Sequence, residues 1–198
     1  MVVHLAGAIL LMFSKSGIYR ITLDLVPISL ALTLLVSLKF HKDFSPGFLI
    51  YSLLAFFLGF SAEMVGTNFG WIFGNYSYGD VLGIKIWNTP LMIGVNWFLV
   101  SYGIGMLISK LKLHYMVRWV ICIFALVMFD YFMEPVALKH GFWEWHEGTI
   151  PLSNYIGWAI VSGILSAAFQ FFSFEKNNFT AGKIWLIQLG FFVIQNVI

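Results

Sequence analysis

Three acidic residues lie inside segments that are otherwise apolar, and they are the strongest candidates for chemistry in this chain. Glu63 belongs to the apolar segment 46–68, and Asp130 and Glu134 belong to the apolar segment 117–138. A charged group near the centre of a bilayer costs about 3 kcal/mol, so such residues normally face the interior of a protein. Asp130 and Glu134 are four residues apart and therefore share one face of a helix. We expect all three acids to converge in one cavity.

Acids that share an apolar site cannot all be ionised, because burial and like charge both disfavour the anion. Such a site holds a proton donor at neutral pH beside a carboxylate that can act as a base. The alternative is a purely structural network, in which Asn68, Asn96, Asn154 or tyrosine side chains satisfy the carboxylates.

Aromatic residues are concentrated in the two connections 69–89 and 139–151 and just after them. Aromatic faces stabilise cations without reacting with them, which suits a reaction that passes through a carbocation. The alternative for most of these residues is an aromatic belt at the membrane surface. The candidate binding residues are Trp71, Tyr76, Tyr78, Asn96, Trp97, Trp143, Trp145, Asn154 and Trp158.

No metal site is expected. The sequence has no HxxxH, HExxH or DDxxD motif, and His140 and His146 flank a loop without a helical register. Cys122 is the single cysteine, so it can form neither an intrachain disulfide nor a cysteine-based metal site.

The elements that must position these residues are membrane-spanning helices. Of the 198 residues, 60% are hydrophobic and 10% are charged, whereas soluble domains are about 25% charged. The net charge of +2 excludes a nucleic-acid-binding arm. The sequence predicts an all-α, polytopic transmembrane bundle that forms a single domain over 1–198. Its predicted spans are 2–14, 21–40, 46–68, 90–109, 117–138, 152–174 and 182–198, which gives seven, or six if the short first one is not a span.

The distribution of basic residues predicts the orientation of this multi-pass protein in the cytoplasmic, or inner, membrane. With seven spans, the connections on one face hold seven cations and those on the other hold four. The positive-inside rule therefore places the amino terminus in the cytoplasm. The two long connections lie together on the opposite face, and they share a face with six spans as well.

Two parts of the chain resemble each other and predict a parallel internal repeat, with units 46–109 and 117–174. Pro90 precedes Trp97 by seven residues, and Pro151 precedes Trp158 by the same interval. Each proline suits the first turn of a helix. Sites in transporters often form between such repeats.

Two aromatic signatures resemble those of the integral-membrane carotenoid hydratases. The first runs from Glu63 through Gly66, Gly70 and Gly74 to Tyr76 and Tyr78, and continues to Asn96-Trp97. The second comprises Asp130-Tyr-Phe-Met-Glu134-Pro135, then Trp143-Glu-Trp145, then Asn154-Tyr-Ile-Gly-Trp158. The resemblance covers about residues 15 to 195.

The resemblance implies an enzyme that adds water across the terminal 1,2 double bond of an acyclic carotenoid end. The implied enzyme is a hydratase, or hydro-lyase, that needs no cofactor. Its implied partners are a lipid-soluble carotenoid, water, membrane lipids and other carotenoid enzymes. Asp130 is expected to donate the proton, Glu134 to tune it, and Glu63 to orient or deprotonate the water.

Two other functions use the same residues differently. A carotenoid end-group cyclase would form the same cation but capture it with an internal double bond instead of water. A transporter would use the internal repeat to move its substrate across the membrane and would leave the substrate chemically unchanged. The mass of the product separates hydration from both.

Overall fold

The structure is a computed structural model that describes residues 17–197, and its architecture is a bundle of helices. The helices are α1 (Gly17–Asp24), α2 (Val26–Lys39), α3 (Pro46–Phe69), α4 (Leu91–Ile108), α5 (Tyr115–Lys139), α6 (Leu152–Phe171) and α7 (Phe179–Val197). Four short strands accompany them, namely β1 (Tyr76–Tyr78), β2 (Lys85–Ile86), β3 (Thr89–Pro90) and β4 (Trp143–Trp145). The predicted all-α bundle is confirmed, with two small sheets that the apolar pattern did not indicate.

Four helices, α3 to α6, are long and apolar enough to cross a membrane by length and composition. They correspond to four of the predicted spans. The predicted span 21–40 instead divides at Leu25 into α1 and the shorter apolar helix α2, near the start of which Pro27 removes a backbone donor. The predicted span 182–198 corresponds to α7, which begins at Phe179 and is outside that set of four. The predicted span 2–14 lies outside the described residues.

Helix α4 is the centre of the bundle. It is apolar around most of its circumference, which is typical of a helix surrounded by others. It packs against α2, α3, α5, α6 and α7. The approach of α3 is close, because a Cβ atom added at Gly59 would lie 2.3 Å from the indole ring of Trp97. This contact fixes the ring of Trp97 beside α3.

The two long connections are joined by an antiparallel sheet of β1 and β4. Tyr76 pairs with Trp145, and Tyr78 pairs with Trp143. Because side chains alternate along a strand, these four aromatic side chains lie on the buried face of the sheet. Gly79 follows β1, and a Cβ atom added there would lie 2.1 Å from the carbonyl oxygen of Gly141, so only glycine permits this approach. The sheet therefore covers the bundle at the end where both connections leave it.

Candidate functional site

The three predicted acids line one cavity beneath this sheet. Glu63 lies in the second half of α3, and Asp130 and Glu134 lie one turn apart in the second half of α5. Their side chains are buried, with exposed fractions of 5%, 0% and 2%. All three line the same cavity. Within residues 17–197 none of them forms an ion pair.

Glu63 accepts hydrogen bonds from three aromatic side chains. Tyr76 and Tyr78 donate their hydroxyl groups to Oε2, at 2.5 and 2.7 Å, and Trp97 donates its Nε1–H to Oε1 at 2.9 Å. Burial, followed by the charge of Glu63, raises the pKa of both tyrosines well above its ordinary value. Both hydroxyl groups therefore remain donors at any physiological pH, and donors of this kind stabilise a carboxylate.

Glu134 is held in a similar way by the other connection. Trp143 and Trp145 donate their Nε1–H groups to Oε2, at 3.1 and 2.9 Å. The amide of Asn154 also donates to Oε1 of Glu134, at 3.4 Å. In both connections, two aromatic residues two positions apart thus hold the acid of the preceding helix. The internal repeat itself stays a prediction.

Asp130 differs from the other two acids because one of its oxygens has no partner. Asn154 donates to Oδ2 at 2.7 Å, through the same nitrogen that reaches Glu134. Oδ1 is buried and has no hydrogen-bond partner in the described part of the chain. A buried oxygen without a donor is unfavourable for an ionised carboxylate, whereas a protonated oxygen can act as a donor itself. Asp130 is therefore the acid whose surroundings best suit a transferable proton.

Aromatic rings form most of the remaining wall. Trp97 stacks on Trp158, with ring centroids 4.1 Å apart, and Tyr76 lies 5.0 Å from Trp145. Since aromatic faces attract cations, a positive charge on a small apolar group in this cavity would be stabilised. Apolar contacts come from Phe73, Ile93 and Met133.

The cavity is small in this structure. Its volume is about 20 Å³, enough for one water molecule with polar partners. The end of an isoprenoid chain does not fit unless the wall moves. Among the three apolar lining residues, Met133 has the most flexible side chain.

The predicted binding residues divide into two groups. Six of them line the cavity, and Trp97 contacts it through its bond to Glu63. Trp71 is 67% exposed and packs near Phe69, and Asn96 does not line the cavity. The residues at the cavity are Tyr76, Tyr78, Trp97, Trp143, Trp145, Asn154 and Trp158.

The sequence prediction missed Phe73, Ile93 and Met133, which line the cavity without carrying a polar group. Helical spacing could have found two of them. Ile93 precedes Trp97 by four residues, and Met133 follows Asp130 by three, so each shares a helix face with a predicted site residue.

Comparison with known proteins identifies the family. Residues 20–197 match the family model described as carotenoid biosynthesis protein, which confirms the resemblance drawn from the two aromatic signatures. The chain is also similar to the bisanhydrobacterioruberin hydratase of Haloarcula japonica, with 26% identity over 125 residues. That alignment covers 59% of this chain and 42% of the relative, so the chain spans less than half of the relative's length. No solved structure matches the chain.

Proposed function

Since the chain belongs to the carotenoid biosynthesis protein family, we propose that it hydrates the terminal 1,2 double bond of an acyclic carotenoid end. The resemblance to a curated hydratase supports this reaction class. A carotenoid dissolves only in the bilayer, and four helices of the chain are long and apolar enough to lie there. The proposed partners are therefore the carotenoid, water and membrane lipids, with other carotenoid enzymes before or after it.

The reaction begins with transfer of a proton from Asp130 to C-2 of the alkene. The O–H bond of the acid breaks, and the π electrons form the new C–H bond. A tertiary cation remains at C-1, where the rings of the wall stabilise it. The unpartnered Oδ1 of Asp130 is the single observation that carries this assignment.

Water then captures the cation. Its oxygen forms the bond to C-1 while Glu63 accepts the released proton, which gives a tertiary alcohol. Glu63 suits this role because its three donors favour the carboxylate before the reaction. Return of the proton from Glu63 to Asp130 through a cavity water restores the starting state, so the reaction consumes one alkene and one water.

Glu134 tunes Asp130 in this scheme. Asn154 connects the two acids, and the negative charge of Glu134 keeps a proton on Asp130. The two indole donors to Glu134 hold that charge in place.

Substrate access requires the cavity to open. In the proposed cycle the carotenoid end arrives laterally from the bilayer and displaces Met133, while the sheet of β1 and β4 keeps bulk water out. The amino terminus faces the cytoplasm in this proposal, and the site lies near the opposite surface of the cytoplasmic membrane.

Expression in a host that accumulates lycopene or a monocyclic carotene tests the function. We expect a new pigment heavier than its precursor by one water, or by two if both ends of lycopene react. The Asp130→Asn variant, expressed to the same level, should leave the precursor unchanged. A new pigment of unchanged mass would identify a cyclase, and transfer of unchanged pigment between membranes would identify a transporter.

A further inference from the structure

A second cavity lies at the other end of the bundle. It has a volume of about 50 Å³ and is bounded by the end of α4, the beginning of α5, the end of α6 and the loop before α7. Gln170 in its wall is sixteen residues beyond Asn154 along α6, which corresponds to about 24 Å. This second cavity, named here the basic cavity, is therefore separate from the acid site.

Two cations line the basic cavity, and no carboxylate is among the described residues that line it. Arg118 lies in the first turn of α5, and Lys176 lies in the loop after α6. The guanidinium of Arg118 forms no hydrogen bond or ion pair with any residue between 17 and 197, although its Nε is buried. A buried guanidinium nitrogen normally has an acceptor. In the same wall Oε1 of Gln170 is buried without a donor, so between residues 17 and 197 the cavity leaves one donor and one acceptor unpaired.

Lys176 is only partly satisfied. Its Nζ donates to the carbonyl oxygens of Phe172 and Gln170, at 3.0 and 3.5 Å, which caps the end of α6. The ammonium also lies 4.9 Å from the ring centroid of Phe174 and 5.6 Å from that of Phe169. It has three donors, so one of them has no oxygen acceptor among the described residues. Burial, followed by the positive charge of Arg118, lowers the pKa of Lys176. The two cations are thus close enough to repel each other without an anion between them.

We propose that the basic cavity binds a phosphate group. Guanidinium offers two parallel N–H donors that match two phosphate oxygens, and ammonium adds a compact charge. The basic cavity has a volume of about 50 Å³ against about 20 Å³ for the acid site, so it has room for more than the single water of that site. The cavity also lies at the end of the bundle that carries most of the basic connections, where phospholipid headgroups meet the protein.

The phosphate has two sources that the same chemistry recognises, a phospholipid headgroup and free phosphate in solution. A simple alternative is that Arg118 extends its side chain to water, as basic residues near a membrane surface often do. That alternative does not explain why Nε is buried and why a second cation faces the same space.

The experiment uses the full chain reconstituted into bilayers of phosphatidylglycerol or of a phosphate-free galactolipid. Retained lipid is counted by native mass spectrometry, and the melting temperature is measured with and without inorganic phosphate. Arg118→Gln removes one charge from the cavity. Lys112→Gln is the matched control, because it removes one charge from an exposed position on the same side of the bundle. Arg118→Lys keeps the charge but removes the paired donors.

We expect wild type and Lys112→Gln to retain phosphatidylglycerol, and Arg118→Gln to retain it at least about ten-fold less, as expected for loss of a charge-assisted contact. Arg118→Lys should retain an amount of phosphatidylglycerol between those of wild type and Arg118→Gln. If inorganic phosphate instead raises the melting temperature in galactolipid, and Arg118→Gln removes that response, free phosphate is the ligand.

Equal behaviour of Arg118→Gln and Lys112→Gln in every condition would overturn the proposal. Should Arg118→Gln fail to insert, the comparison of Arg118→Lys with wild type decides. Weaker retention or a weaker phosphate response in Arg118→Lys supports the site, and identical responses refute it.

Discussion

Replacing Asp130 by Asn removes the proposed proton and little else. Asn has the shape of Asp, and its side-chain oxygen can still accept the hydrogen bond that Asn154 donates to Oδ2 at 2.7 Å. The new amide nitrogen takes the place of Oδ1, which has no partner to lose in the described structure. The variant is therefore expected to fold and insert as wild type does.

The expected loss of turnover is large because protonation of the alkene is the first chemical event. A positioned general acid contributes about 10² to 10⁴ in rate, so Asp130→Asn should reduce product formation by at least about 10²-fold. The assay follows alcohol formation from a carotenoid in liposomes, at equal amounts of inserted protein. Asp80→Asn is the matched control, since Asp80 is an exposed acid whose ion pair with Lys85 lies outside the cavity.

One result would refute the assignment of roles. If Asp130→Asn forms product at a rate near that of wild type while Glu63→Gln is inactive, Glu63 is the proton donor and the unpartnered oxygen has no catalytic meaning.

Three further predictions concern the sheet of β1 and β4 that covers the acid site, the packing of α3 against Trp97, and the pH dependence of stability. Trp145→Phe keeps a ring above the cavity but removes the N–H donated to Glu134, and we expect turnover in the same assay to fall about ten-fold or more. Unchanged turnover would mean that Trp145 contributes only its ring. Gly59→Ala forces a methyl group against the ring of Trp97 and should lower the free energy of unfolding by about 1–3 kcal/mol. Gly190→Ala is the control and should not lower it, because a Cβ atom added there meets nothing within 4 Å. Equal melting temperatures for the two variants would contradict the packing argument. Burial lowers the pKa of His41 in the folded chain below its usual value of 6.5, so the unfolded chain binds the proton more readily. The free energy of unfolding is therefore highest above pH 6.5 and falls as the pH drops below 6.5. His41→Gln should flatten this dependence of the melting temperature between neutral and mildly acidic pH, and an unaltered profile would assign it to other groups.

The positions of the helices and of the acids could be predicted because they follow from local rules. Segments of about 20 apolar residues gave α3 to α6 to within three residues at each end, and Pro90 and Pro151 marked the beginnings of α4 and α6. The convergence of Asp130 and Glu134 follows from their four-residue spacing. The position of Glu63 beside them follows from its place near the same end of the bundle.

The sheet that completes the site could not be predicted in the same way. Strands β1 and β4 have three residues each and pair across 67 residues of sequence, at Ser77 and Glu144. Such short strands exist only because tertiary packing brings them together. The sequence offers tyrosine and asparagine side chains as partners of the acids, and Tyr76, Tyr78 and Asn154 are among their donors. The indole donors to Glu63 and Glu134 could not be predicted in this way.

The division of the segment 21–40 into two helices and the exposure of Trp71 depend on packing in the same way. Leu25 separates α1 from α2 within a segment whose apolarity is continuous. Trp71 has the same residue type as Trp143 and Trp145, and only its position just after the end of α3 at Gly70 directs it outwards.

Isotope labelling of the product tests the proposed hydration most directly. The purified chain, reconstituted with an acyclic carotenoid, is incubated in deuterium oxide or in water labelled with heavy oxygen, and the product is analysed by mass spectrometry and NMR. Acid protonation followed by capture of water predicts one non-exchangeable deuterium at C-2 and one labelled oxygen at C-1. A product that carries deuterium but no labelled oxygen, or a carotenoid that leaves the bilayer without either label, would contradict hydration by this site.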